Sequence, residues 1–354
     1  MDIIALMDLT FDKGASDLHL SVGRRPVLRI GGHLHEVGDA PLQPKDTEAM
    51  AKVICPQRNW DELGRVGTTD FGYAHQDKCR FRVSVLTQKG SRGIVMRQIP
   101  QKLLSFEQIG LPDAVRNLLD LHRGLVLVTG PTGSGKTTTL ATMIDSINRQ
   151  RDVHIITIED PIEYYHKHQK SQVTQREVGV DVPSFAEAMR RALRQDPDVI
   201  LLGEMRDLDT TSAAITAAET GHLVFGTLHT TGAARTVDRI IDQYPKEQQE
   251  QIRSQLSLSL VAVISQILIP AAGGGRVAAF EIMLNNAAIE NHIRKVETFK
   301  IPSVIQTSRR QGMVLMDDAL LELYRAGRIG KETALERAFD RKGLATRLGI
   351  GGAE

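Results

Sequence analysis

From about residue 123 onward, the chain alternates short apolar runs with longer amphipathic stretches. Each run is four to six residues long and mostly apolar, without the every-second-residue polarity of a half-exposed strand. Such runs are typical of strands in a parallel sheet that helices cover on both faces. Ligands of these folds bind beyond the carboxyl ends of the strands, so the candidate chemistry is sought there. The predicted strands are residues 125–128, 153–158, 199–202 and 223–228.

The first hundred residues have a different pattern, with short alternating strands and few helices. Residues 27–30 precede the glycine pair 31–32, which predicts a hairpin. Residues 80–86 and 94–98 are predicted as strands on either side of a glycine-containing turn, and residues 45–54 as a helix. This region is therefore predicted to be a mixed α/β unit.

These patterns predict two domains, in agreement with a length of 354 residues. The predicted boundaries are an N-terminal domain at 1–100, a linker at 101–116 and a nucleotide domain at 117–354. The apolar stretch 256–269 is interrupted by serines and Gln266 and is shorter than a membrane span, so it predicts a buried helix followed by a strand. The residues 267–269 and 277–280, joined by three glycines, predict a hairpin at the sheet edge.

Composition excludes several classes of protein. A hydrophobic content of 41% is enough for packed cores and argues against wholesale disorder. A formal net charge of +1 gives no indication of a nucleic-acid or membrane partner. The two cysteines, Cys55 and Cys79, form no C-x-x-C pair and are interpreted as buried hydrophobes. The N-terminus lacks the pattern of a signal peptide, so we expect a cytoplasmic protein.

A complete phosphate-loop motif follows the run 125–128. Residues 130–137 read GPTGSGKT, and a helix-like stretch follows at 138–147. Backbone N–H groups of such a loop, together with the helix N-terminus, bind phosphate. Lys136 is expected to reach the β- and γ-phosphates of ATP, and the Thr137 hydroxyl to ligate Mg²⁺. The predicted cofactor-binding residues are Gly130, Pro131, Thr132, Gly133, Ser134, Gly135, Lys136, Thr137 and Thr138.

Acidic residues and a histidine follow the other predicted strands. Glu163 lies in an acidic turn after 153–158, where a carboxylate would orient water or merely form a solvated surface. Glu204 ends the run 199–202 in the manner of a Walker B acid, which holds the Mg²⁺ shell. His229 ends the run 223–228, where it would lie near the γ-phosphate, whereas His222 precedes that strand.

Three arginines lie on predicted strands of the first domain. Arg80, Arg82 and Arg97 are either solvated surface charges or cations offered to the transferring phosphate. Guanidinium groups suit the second role because they stabilise phosphate charge.

Four segments together resemble the type II secretion and type IV pilus ATPases. Residues 193–207, LRQDPDVILLGEMRD, resemble the family signature, and 158–163 and 220–230 resemble its Asp and His boxes. Residues 14–20, GASDLHL, resemble the opening of the retraction branch of the family. The resemblance covers nearly the whole chain.

The resemblance implies a homohexameric ring of protomers with a PAS-like first domain and a RecA-like second domain. ATP would lie between the domains, and its hydrolysis would move one against the other. Glu163 matches the catalytic base, Glu204 the Walker B acid and His229 the His-box residue, while Arg82 and Arg97 match arginines that contact nucleotide. The ring would engage an inner-membrane platform protein at the cytoplasmic face of the membrane and drive pilus retraction. The protein itself would reach the membrane only through such partners.

One segment departs from the retraction branch. Where that branch has Ala-Ile-Arg-Asn-Leu-Ile-Arg-Glu, residues 288–295 read AIENHIRK, which changes the charge pattern. A divergent paralogue therefore remains an alternative, as does an assembly or secretion ATPase, although that branch usually has a longer N-terminal region and a cysteine-rich insertion. A nucleotide-gated scaffold, which would bind ATP without productive hydrolysis, is disfavoured because Glu163 and Glu204 are both present. Nucleic-acid translocation is disfavoured by the charge and by 4% aromatic content.

Overall fold

The computed structural model describes residues 2–76, 78–99 and 103–349. The chain divides into two compact units. The first contains residues 1–103 together with the short segment 161–165, and the second contains 104–160 and 166–354. The predicted boundaries at 100 and 116 stay a prediction, and residues 100–102 and 350–354 lie outside the described residues.

The first unit combines helices with short antiparallel strands. Its elements in chain order are α1 (Ile3–Asp12), β1 (Asp17–Leu20), β2 (Val27–Ile30), β3 (His33–Glu36), α2 (Pro44–Ile54), α3 (Gln57–Val66), β4 (Thr68–His75), β5 (Cys79–Gln88) and β6 (Ser91–Ile99). The predicted helix and strands of this unit all lie within or coincide with these elements.

An antiparallel sheet forms the centre of the first unit, with the strand order β3-β2-β1-β6-β5-β4 among the described residues. Alternation decides which side chains face the core: Phe81, Val83 and Val85 are buried, whereas Arg82 between them is exposed. Asp17, Arg97 and Arg82 lie directly opposite one another on neighbouring strands. The sheet therefore places two of the predicted arginines side by side.

The second unit alternates strands with helices. Its elements begin with α4 (Phe106–Ile109), a 3-10 helix (Asp113–Asp120), β7 (Gly124–Thr129), α5 (Lys136–Gln150), β8 (His154–Glu159), β9 (Gln172–Glu177), α6 (Phe185–Ala192), β10 (Val199–Leu202), α7 (Leu208–Glu219), β11 (Leu223–Leu228), α8 (Ala233–Ile241) and α9 (Lys246–Ser259). They continue with β12 (Leu260–Pro270), β13 (Arg276–Leu284), α10 (Ala287–Arg294), a 3-10 helix (Thr298–Lys300), α11 (Ile301–Thr307), a 3-10 helix (Arg309–Gln311), α12 (Met316–Arg325), α13 (Lys331–Arg337) and α14 (Arg341–Arg347).

The strands of this unit form one sheet in the order β13-β12-β7-β11-β10-β8-β9 within the described part of the chain. All neighbours are parallel except β12 and β13, which form the predicted antiparallel hairpin at one edge. Every residue of β7, β10 and β11 is buried because helices cover both faces. The predicted α/β fold class, with a mostly parallel sheet, is confirmed.

Residues 106–120 belong to the core of the second unit. Phe106, Val115 and Leu119 contribute to the same buried cluster as Val126 of β7 and Ile144 of α5. The α4 helix begins with a capping box, in which Ser105 and Gln108 each accept a hydrogen bond from the other's backbone N–H. Asp113–Asp120 form a short 3-10 helix.

Candidate nucleotide site

The phosphate loop lies between β7 and α5, as its motif predicts. Gly130, Gly133 and Gly135 have φ angles of 142°, 77° and 90°, a region that favours glycine. A Cβ at Gly130 would also collide with the carbonyl oxygen of Gln266. Gly135 immediately precedes α5, so the loop delivers its N–H groups to the positive end of a 15-residue helix.

Lys136 folds back over the loop. Its Nζ donates to the carbonyl oxygens of Gly130 at 2.8 Å and Pro131 at 3.2 Å. Partial burial lowers the pKa of Lys136, and the nearby charge of Glu204 opposes that shift. An ammonium group that is held by backbone carbonyls is available to an anion that offers it a full negative charge.

The loop also contains a buried polar atom without a partner. Ser134 is 2% exposed, and its Oγ makes no hydrogen bond within the described residues. Buried hydroxyls are normally satisfied, so an unsatisfied one in a loop of this type fits a site whose ligand supplies the partner. The glycines, Lys136 and Ser134 together fit a phosphate group of a nucleotide.

Glu204 and His229 are brought together at neighbouring strand ends. Strands β10 and β11 are parallel neighbours, and the His229 Nε2 and Glu204 Oε1 atoms are 2.9 Å apart. Arg206 Nε lies 2.5 Å from the same carboxylate oxygen. Burial alone would raise the pKa of Glu204, but the hydrogen bond and charge of Arg206, with His229 adding to them, hold that pKa below its usual value. Glu204 is therefore a carboxylate near neutral pH.

The turn that carries Glu204 is fixed by close packing. Met205 N–H donates to the carbonyl of Thr227 at 3.0 Å, and the Thr227 hydroxyl donates to the carbonyl of Gly203 at 2.5 Å. A Cβ at Gly226 would collide with the Met205 sulfur. The hydrogen bonds from and to Thr227 of β11 thus fix the backbone of residues 203–205, which sets the direction of the Glu204 side chain.

Three further predicted residues, Arg82, Arg97 and Glu163, lie in the first unit. Arg97 Nε donates to Asp17 Oδ1 at 2.9 Å, and both Arg97 and Arg82 are exposed. Glu163 is half-buried in the segment 161–165 that clusters with that unit. The same segment carries Tyr165, whose ring centre lies 4.2 Å from the Arg80 guanidinium.

Sequence reasoning missed Arg206 and Gln266 as site residues. Arg206 follows Glu204 by two positions, and nothing in its spacing indicates that it pairs with that acid. Gln266 interrupts an apolar stretch, and a polar residue at 1% exposure requires a buried partner. That partner is the carbonyl oxygen of Ser134, which accepts from Gln266 Nε2. A polar residue in an otherwise apolar strand was therefore the available signal.

Comparison with known proteins identifies the family. The family model described as "Type II/IV secretion system protein" matches residues 5–278. The chain belongs to the type II/IV secretion system protein family.

Individual relatives of the family cover nearly all of the chain. The Type IV pilus retractation ATPase PilT of Pseudomonas aeruginosa is 48% identical over 338 residues, which are 96% of this chain and 98% of that protein. The Type IV pilus ATPase PilU of the same organism is 38% identical and aligns with 99% of this chain and 92% of its own length. A crystal structure of the pilus retraction motor PilT with bound ADP is 47% identical, with a TM-score of 0.91, and covers 98% of this chain and 99% of that one.

Membership of this family agrees with the two-part fold predicted from the sequence. Among the residues that the structure describes, none lies in a helix with both the length and the apolar character that crossing a bilayer demands.

Proposed function

We propose that this protein is an ATP-hydrolysing motor that powers type IV pilus retraction. The observation that carries the proposal is the complete phosphate loop at the start of α5, together with 48% identity to a PilT retraction ATPase over almost the whole chain. Fold, loop and family agree on triphosphate hydrolysis. The retraction direction comes from the relatives rather than from the geometry.

The loop residues 130–138 bind the phosphates of ATP in this proposal. Lys136 exchanges the carbonyls of Gly130 and Pro131 for phosphate oxygens, which carry more negative charge. Thr137, in the first turn of α5, and Glu204 are the residues that would hold Mg²⁺, the hydroxyl directly and the carboxylate through water. The bound ion would offset negative charge on the phosphates.

Three further groups complete the proposed machinery. Glu163 accepts the proton of the attacking water, as its place in the Asp box suggests. His229 is hydrogen-bonded to Glu204 and is thereby oriented for contact with the γ-phosphate or its water. Arg82 and Arg97 offset negative charge on the nucleotide, a role that rests on resemblance alone.

The assembly that we propose is a homohexamer engaging an inner-membrane platform protein from the cytoplasmic face. ATP and Mg²⁺ are its only proposed cofactors, and no nucleic acid takes part. Membrane association is proposed to occur only through the partner.

A divergent retraction ATPase is a second candidate, favoured by residues 288–295. Ile289 and Ile293 of α10 are fully buried, so they belong to the core of this chain. The altered positions form pairs within the chain instead: Glu290 with Arg294 at 3.6 Å, and His292 with Glu297 at 3.0 Å. The surface charge that a partner would meet here therefore differs from that of the usual motif.

Two measurements test the proposal. Purified protein with ATP and Mg²⁺ is expected to release phosphate, and Lys136→Ala to bind nucleotide weakly and release none. Deleting the gene is expected to leave cells with many pili and no surface motility, restored by the wild-type gene and not by Lys136→Ala. Cells without pili would indicate an assembly ATPase, and unchanged nucleotide affinity in Lys136→Ala would contradict the assignment of the loop.

A further inference from the structure

Strand β12 carries two adjacent polar residues, Ser265 and Gln266, in an otherwise apolar sequence. Both are at most 1% exposed. We propose that they are positioning residues for ATP hydrolysis. Gln266 holds the phosphate loop on one face of the sheet, and Ser265 holds residues 230–233, which follow His229, on the other. This inference rests on the proposed ATPase activity. It assigns β12 as the strand that fixes the phosphate loop and residues 230–233 relative to each other.

Gln266 holds the phosphate loop by its side chain and by its backbone. Its Nε2 donates to the carbonyl oxygen of Ser134 at 2.5 Å, a contact across 132 residues of sequence. The loop glycines pack directly on it: a Cβ at Gly135 would lie 3.1 Å from that Nε2, and one at Gly130 would strike the Gln266 carbonyl oxygen. The loop therefore rests on Gln266 at two of its glycines.

Ser265 acts on the opposite face because side chains alternate along a strand. Its Oγ accepts from Gly232 N–H at 2.9 Å. Glu281, directly opposite Ser265 on β13, accepts from Ala233 N–H at 2.7 Å. Two consecutive N–H groups at the start of α8 are thus bound by one cross-strand pair, which satisfies donors that a helix N-terminus leaves open.

The start of α8 is connected to His229 by a short series of hydrogen bonds. Thr236 donates to the Gly232 carbonyl at 2.8 Å, and its hydroxyl lies 2.7 Å from that of Thr230. Thr230 is the residue after His229, whose ring pairs with Glu204. Fixing Gly232 and Ala233 therefore restricts where the His229 side chain can lie.

The two residues are expected to affect different kinetic constants. Gln266→Met keeps the volume and removes the donor, leaving the Ser134 carbonyl without that partner. We expect KM for ATP to rise about tenfold, the factor that corresponds to about 1.4 kcal/mol, with kcat changed less than about threefold. Ser265→Ala is expected to lower kcat by about threefold to tenfold with KM unchanged, because it loosens the His229 segment and leaves the phosphate loop in place.

The experiment measures KM, kcat and Tm of the full-length chain for both variants. Ile264→Val, a buried change at the neighbouring position of the same strand, is the matched control for lost packing and is expected to lower Tm without moving KM. Gln266→Glu keeps the length but replaces the amide donor by a carboxyl group beside the phosphate loop, so it is expected to raise KM at least as much as Gln266→Met. A Gln266→Glu or Gln266→Met protein with the KM of Ile264→Val would overturn the role of Gln266, and Ser265→Ala with wild-type kcat would overturn that of Ser265.

Hydrogen exchange of the wild-type chain provides a test that needs no variant to fold. Saturating ADP is expected to slow amide exchange in residues 231–237 as well as in the phosphate loop, because β12 connects the two segments. Protection confined to the phosphate loop would refute the connection. Because ADP binding is measured without turnover, this result is distinct from a failure of the proposed ATPase, which wild-type phosphate release reports separately.

Discussion

The pairing of His229 with Glu204 gives the sharpest quantitative prediction. The two side chains are 25 residues apart in sequence, and their atoms are 2.9 Å apart at the ends of adjacent strands. Glu204 is 18% exposed and His229 is 49% exposed. If both orient the same water or phosphate oxygen, they act as one unit, and removing either should remove most of what the pair contributes.

We therefore predict strong non-additivity in a double-mutant cycle. Glu204→Gln and His229→Ala are each expected to lower kcat by about 100-fold, the lower end for a positioned acid–base or electrostatic group. Independent effects would multiply to about 10⁴-fold in the double variant, whereas a single unit would give about 10²-fold to 10³-fold. The coupling energy of at least about 1.4 kcal/mol exceeds what an exposed ion pair contributes to stability, about 0–1 kcal/mol.

The assay is steady-state phosphate release at saturating ATP and Mg²⁺, with nucleotide affinity measured separately by fluorescence of a labelled ADP. Affinity is expected to stay within about threefold of wild type in all variants, because neither side chain belongs to the loop that holds the phosphates. Glu290→Gln is the control, since Glu290 pairs with Arg294 on α10 and lies outside the proposed site. Multiplicative losses in the double variant would refute the single-unit reasoning.

The other predictions concern the Asp box, a strained residue and a buried carboxylate. Glu163→Gln is expected to bind ATP with wild-type affinity and lose at least about 100-fold in kcat; undiminished turnover would remove Glu163 from the base role. Val296 follows α10 with a φ of 61° and is 63% exposed. Val296→Gly relieves about 1–2 kcal/mol of left-handed strain, and the greater entropy of glycine in the unfolded chain costs about 0.5–1 kcal/mol. Tm should therefore rise, and a lower Tm in calorimetry would contradict this. Burial would raise the pKa of Asp17, but hydrogen bonds from Ser16 and Arg97 hold it below the usual value of about 3.9. The stability that the charged carboxylate gives to the fold is therefore present above that pH and is lost as the pH falls through the lower pKa of the folded state. Denaturant unfolding should accordingly show Asp17→Asn to be less stable than wild type at pH 7 and the difference to shrink below about pH 4; a difference independent of pH would show that Asp17 contributes no charge interaction.

Much of the second unit was predictable because its signals are local. Mostly apolar runs mark four of its strands, and residues 199–202 and 223–228 coincide with β10 and β11. The phosphate loop is equally local, since its glycines and Lys136 are specified by eight consecutive residues. Placing Glu204 and His229 at one edge of the sheet required only the rule that parallel strands end together, which their 2.9 Å contact agrees with.

The sequence alone determined which chemistry the chain carries, because a phosphate loop, a strand-end acid and a strand-end histidine are each encoded in contiguous residues. The tertiary structure alone decided which distant side chains hold the phosphate loop and the segment after His229 in place. Gln266 meets Ser134 across 132 residues, and Ser265 and Glu281 bind the start of α8 only because β12 and β13 pair in one particular register. The segment 161–165, with Glu163, clusters with the first unit although the chain on both sides belongs to the second. Hydrogen bonds and packing between distant segments leave no periodic pattern in the sequence, so only the folded chain reveals them.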